Sequence, residues 1–223
     1  MAMLWRSMQQ KNRPYDGFFI TLEGGDGCGK TTVASQLVDH LRKKGYVVFK
    51  TREPGGTSLS EQIRHLLLNP QGDYAVAPEA ELLLYLSARA QNYAERIKPA
   101  LHRGEIVVCE RFHDSSIAYQ GSARHLGMTY VKQLCELVCP HPDFTLLLDL
   151  DPEVGIRRVR ASREIEDRLE QEKLQFHQEV RQGYLHLADA HPERISIIDA
   201  ALPLEHVVHA SLEAVESHLM LKL

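Results

Sequence analysis

Four cysteines in 223 residues, at 28, 109, 135 and 139, are too few and too scattered for a disulfide framework. Cys135 and Cys139 share a helical spacing, yet no further ligand stands at matching spacing, so two buried thiols rather than a metal pair are expected. No apolar run reaches the roughly 18 residues that a membrane span needs. Residues 1–16 lack the apolar stretch of a signal peptide and show no periodicity, so they read as a flexible extension. Charge of one sign is missing too. With 26 basic against 30 acidic side chains, the net charge of −4 argues against a surface that coats nucleic acid. These absences point to a reducing cytoplasm with neither nucleic acid nor membrane as partner. Residues 17–223 are long enough to bury a core without disulfides or metal and are expected to form one domain.

Glycine, by contrast, is concentrated. Residues 24–31 read Gly-Gly-Asp-Gly-Cys-Gly-Lys-Thr, followed by Thr32 and preceded by the β-prone run Gly-Phe-Phe-Ile-Thr-Leu-Glu. Strand, glycine-rich turn and helix form the context of the phosphate-binding pattern G-x-x-x-x-G-K-[ST]. Gly24, Gly27 and Gly29 let the backbone curl so that successive N–H groups face phosphate oxygens, with Gly25, Asp26 and Cys28 completing the loop. Lys30 brings a point charge to the β/γ-phosphates, and the Thr31 hydroxyl is placed to ligate Mg²⁺. The following helix directs its positive end at the same anion. The chain is expected to bind a nucleoside triphosphate.

From residue 17 onward strands and helices alternate. Runs at 17–23, 46–51, 106–110, 144–150 and 195–198 read as strands, and several are continuously apolar, as in sheets covered on both faces. Gly45 after Arg42-Lys43-Lys44 ends the first helix. Ser58-Leu59-Ser60-Glu61 reads as a capping box for a helix to Leu68. A helical stretch over 78–102 is expected to bend or end near Pro99, and a last helix follows Pro203. The expectation is an α/β fold: a five-stranded parallel sheet flanked by helices.

A phosphate loop alone does not separate motors, switches and phosphoryl transferases. No Asn-Lys-x-Asp guanine reader occurs, and no strand ends in the Asp-Glu pair of a hydrolytic motor. A small kinase remains, in which a second substrate attacks the γ-phosphate. The arginine-rich segment 157–168 fits a mobile lid that neutralises the transferred charge and excludes water, although a solvated helix face laced with Arg–Glu pairs has the same composition. A kinase for a different acceptor and a hydrolysing switch stay open on these residues alone.

Three further segments carry a resemblance. Glu23 through Thr32, Thr51-Arg52-Glu53-Pro54-Gly55-Gly56-Thr57 and Tyr119-Gln120-Gly121 are similar, in order and spacing, to the bacterial thymidylate kinase family, over residue 17 to the C-terminus. The resemblance implies a P-loop nucleotide kinase fold, Mg²⁺- and ATP-dependent conversion of dTMP to dTDP, and a homodimer. It assigns Asp26 to the dTMP 3′-hydroxyl, Arg52 and Arg111 to its phosphate, and Tyr85 to stacking on thymine. Arg89 would bond the base, Ser116 and Tyr119 would lie beside base and sugar, and Arg163 would be the catalytic lid arginine beside Lys30 and Arg111. Glu110 stands where the family usually has Asp, as a second candidate Mg²⁺ group with Thr31.

Overall fold

A computed structural model describes residues 15–69, 75–162 and 167–220. Its strands are β1 (Phe18–Glu23), β2 (Val48–Arg52), β3 (Ile106–Glu110), β4 (Phe144–Asp149) and β5 (Ile195–Asp199). All pair in parallel, in the order β2-β3-β1-β4-β5. The expected strands are these five: β3 has the expected bounds and the other four differ by one or two residues at one or both ends. β2 starts at Val48 rather than Tyr46 because the Tyr46 amide closes the preceding helix, donating to Leu41 O at 3.1 Å.

The helices are α1 (Lys30–Lys43), α2 (Ser58–Leu68), α3 (Pro78–Asn92), α4 (Lys98–His102), α5 (His113–Ser116), α6 (Met128–Val138), α7 (Pro152–Ser162), α8 (Leu174–Ala190) and α9 (Leu204–Met220). Strand pleating divides the core between them. Phe18, Ile20 and Leu22 of β1 face α1 and α9, with Val108, Leu146 and Val215 in the same cluster. Phe19 and Val107 face the opposite side, beneath Ile97 and Leu101. There α2, α3, α6 and α8 close a further cluster around Leu67, Leu82, Val131 and Val180. Tyr15, inside the expected extension, is buried against that side of the sheet, whereas residues 1–14 lie outside the described residues.

Two local expectations change. α2 is capped by Thr57 rather than Ser58: the Thr57 hydroxyl accepts the Ser60 N–H at 3.2 Å. Glu61 reaches back to the Gly56 N–H at 3.0 Å, so the reciprocal bonding is shifted by one residue. Over 78–102 the chain stays helical. A π-type turn at Tyr93–Ile97 lets the Lys98 N–H reach Tyr93 O, and Pro99 falls in the first turn of α4, where its missing N–H costs least.

Candidate active site

The strand order reverses at β1, so the crevice at the carboxyl ends of β1 and β3 is where a parallel α/β sheet binds ligands. The glycine loop fills one side of it. Gly27 has φ 74°, and a Cβ there would lie 2.3 Å from Gly155 O on α7; Gly24, at φ 133°, would meet Leu148 O at 2.4 Å. The loop is pressed against α7 and the end of β4 at a distance only glycine allows. Lys30 Nζ spans it, donating to Gly24 O at 3.0 Å and Gly25 O at 2.6 Å. Thr31 Oγ1 donates to Glu110 Oε2 at 2.6 Å, and Lys50 Nζ holds the other carboxylate oxygen at 3.2 Å.

Arg111 follows β3 in the left-handed region, φ 63°, with its N–H on Leu22 O at 2.9 Å. That turn aims the guanidinium back at the glycine loop: it donates to Gly24 O at 3.0 Å, pairs with Asp26 and lies 5.1 Å over the Tyr119 ring. Tyr119 OH also donates to Asp26, at 3.2 Å. Burial pushes the Asp26 carboxyl up, but Arg111 and Lys30 outweigh it and hold the group below the usual range. Behind Arg111 lies Glu23, fully buried, accepting the Phe112 N–H at 2.7 Å, the Ser115 hydroxyl at 2.5 Å and Tyr184 OH at 3.0 Å. Burial first, and Asp114 second, push the Glu23 carboxyl up to about 7.

These groups open onto one cavity of about 630 Å³. Of the expected site residues, Asp26, Gly27, Gly29, Lys30, Thr31, Thr32, Arg52, Tyr85, Arg89, Glu110, Arg111, Ser116 and Tyr119 line it. Gly24, Gly25 and Cys28 of the loop are not in this lining, and Arg163 lies outside the described residues. Arg89 is 2% exposed and engaged with protein, donating to Glu53 Oε2 at 2.6 Å and Phe112 O at 2.8 Å. Burial would favour its neutral form, yet Glu53 outweighs that and raises its pKa. Arg52 is half exposed and donates to both Glu61 oxygens at 3.1 Å.

The thymidylate kinase family model matches residues 22–211. The chain belongs to the thymidylate kinase family. It is 48% identical over 210 residues to the thymidylate kinase of Protochlamydia amoebophila, covering 91% of this chain and 93% of that one. To the thymidylate kinase of Syntrophotalea carbinolica it is 49% identical over 199 residues, covering 86% and 92%. A crystal structure of thymidylate kinase from Ehrlichia chaffeensis superposes with a TM-score of 0.73 at 33% identity, over 90% of this chain and 98% of that one. The chain is therefore a phosphotransferase of the nucleoside monophosphate kinase type, converting dTMP to dTDP with ATP.

Sequence reasoning gave no role to several groups that the fold brings to the site. Glu23, Glu53, Ser115, Gln120 and Tyr184 are all buried in or behind its walls. Glu23 and Glu53 left a signal, each a carboxylate at a strand end beside glycines or proline. Tyr184 left none. Within the expected lid, Arg157 pairs with Glu153 at 3.9 Å on an exposed helix face, while Arg158, one residue on, lines the cavity.

Proposed function

We propose that ATP lies on the glycine-loop side of the cavity and dTMP on the opposite wall. The observation that carries this reading is that Arg52 and Arg111, two strand-end arginines, line the same cavity as the loop. Planar guanidinium forks suit a phosphate monoester. Its attacking oxygen is already ionised, so transfer needs positioning and charge neutralisation rather than a strong base. Asp26, kept ionised by Arg111, is an acceptor for the sugar 3′-hydroxyl. Tyr85 offers a half-buried ring for the base, with Arg89, one helical turn on, held by Glu53. Ser116 and Tyr119 border base and sugar, and Tyr119 excludes a ribose 2′-hydroxyl by crowding. Lys30 neutralises the β/γ-phosphates from within the loop.

Thr31 and Glu110 present hydroxyl and carboxylate oxygens 2.6 Å apart, a hard-donor pair of the kind Mg²⁺ takes together with phosphates and water. Bound with ATP, the ion would neutralise charge on the phosphate oxygens. The second Glu110 oxygen is held by Lys50 Nζ at 3.2 Å. Arg163 is the proposed lid arginine for the transferred group. Residues 17–223 act as one domain. A homodimer is supported by the exposed leucines Leu59, Leu66, Leu83 and Leu137 on α2, α3 and α6. A reducing cytoplasm fits four unpaired, buried cysteines.

The test is ADP release from ATP·Mg²⁺ with dTMP, dUMP, dCMP, dGMP, thymidine or no acceptor. Strong stimulation by dTMP, with dUMP weaker by about tenfold or more for the missing methyl, is expected. Equal release without acceptor, or equal use of dUMP and dTMP, overturns the pocket reading.

A further inference from the structure

We propose that Glu81 is a positioning residue for the acceptor side of the cavity, joining three chain segments that each supply part of its wall. The inference rests on the acceptor-pocket reading above. Glu81 is completely buried on α3, one turn before Tyr85 and two before Arg89. Gln120 Nε2 donates to its Oε1 at 2.7 Å, and Arg168 donates to its Oε2 at 2.6 Å. Arg124 adds contacts to both oxygens at 3.3 and 3.4 Å and is itself held by Glu172 at 2.6 Å.

The donors come from two other stretches of chain. Gln120 directly follows Tyr119 in the π-type turn Ile117–Ala123, on whose N-terminal side Ser116 stands. Arg124 follows the same turn and lies 4.6 Å over the Phe176 ring of α8. Arg168 also clamps the end of α2, its Nε on Leu67 O at 2.8 Å and its backbone N–H on Leu68 O at 3.2 Å. Its neighbours Asp167, Leu169 and Glu170 are cavity walls. One carboxylate thus sets how far the 167–170 wall and the Ser116–Tyr119 wall stand from Tyr85 and Arg89. Stability alone does not demand such a cluster, since apolar groups of equal volume often replace buried ion pairs without loss. What the cluster adds is fixed geometry.

The experiment compares Glu81→Gln, Arg168→Gln, the double variant and Tyr85→Ala, measuring kcat, KM for dTMP and ATP, and Tm. Glu81→Gln is expected to raise KM for dTMP by about tenfold while KM for ATP moves less than about twofold, from loss of charge-assisted bonds on one wall only. Arg168→Gln should act in the same direction, and the double variant should be no worse than the more impaired single one, because both break one link. Should Glu81→Gln fail to fold, Arg168→Gln, whose side chain is partly exposed, carries the same expectation. A lowered Tm with both KM values unchanged or shifted equally, or additive effects in the double variant, overturns the inference. If Tyr85→Ala raises KM for dTMP and Glu81→Gln does not, only the role of Glu81 falls. If Tyr85→Ala leaves it unchanged, the pocket assignment falls and takes the role of Glu81 with it.

Discussion

On the proposed donor side of the cavity the wall groups are main chain and one lysine, with glycines pressed against neighbouring backbone. On the acceptor side they are side chains held by other side chains: Arg111 by Asp26 and Tyr119, Arg89 by Glu53. A phosphate chain is the same in every nucleoside triphosphate, so a backbone cradle suffices for it. A particular acceptor must be told from its analogues, which takes shape and directed polar groups. The two arginines expected at the acceptor phosphate repeat the contrast in miniature. Arg111 is locked from several sides in a left-handed turn, whereas Arg52 is half exposed and tied through Glu61.

The largest break in this comparison should come from Lys30→Ala, which removes the donor-side charge and is expected to lower kcat by about a thousandfold in steady-state assays. Arg111→Ala follows, with a loss of about a hundredfold or more in kcat/KM for dTMP. Arg52→Ala should lose roughly tenfold in the same assay, because its guanidinium is less preorganised. Near-full activity in the Arg111 variant would remove that residue from the acceptor site. Gly27→Ala sharpens the backbone side. A Cβ 2.3 Å from Gly155 O forces the loop away from α7, so KM for ATP should rise with little change in dTMP binding at saturating ATP. A stability loss of about 1–3 kcal/mol should appear in denaturant unfolding.

Glu23 offers a pH test of the side-chain wall. Its carboxyl lies near 7 in the folded chain against an ordinary 4.5, so the folded state binds the proton more tightly than the unfolded one. Its contribution is then fully present at low pH and is lost as pH rises from about 4.5 to about 7. Glu23→Gln should flatten that part of the stability profile in thermal melts, and an unchanged slope would assign it to other groups. The smallest effect is expected from Cys135→Ala, with activity within about twofold and about 1 kcal/mol of stability lost from a buried thiol.

Much of the architecture could be read from the chain. The five strands announced themselves as apolar runs bounded by Gly, Pro or charge, and α1 by its apolar periodicity and its Gly45 end. The glycine loop and the arginines proposed for phosphate were legible as candidates because backbone chemistry and spacing single them out, and Arg52 and Arg111 line one cavity with the loop. The Thr57 cap was missed by one residue, since Thr57, Ser58 and Ser60 all have capping hydroxyls and only the observed fold selects among them. Arg163 carried an expectation that the described residues do not reach. The pairings within the supporting wall were not legible. Glu23 meets Tyr184 across 161 residues of sequence and Glu81 meets Arg168 across 87, and no local pattern encodes such pairs.

The sequence by itself determined the parallel α/β order, the glycine loop and the chemical type of the groups proposed for phosphate. Those features depend on local propensity and on bonds between residues a few positions apart. Only the tertiary structure decided which carboxylates are buried, which arginines are already paired, and how the two walls are spaced. Those depend on contacts that exist only once distant segments have packed together.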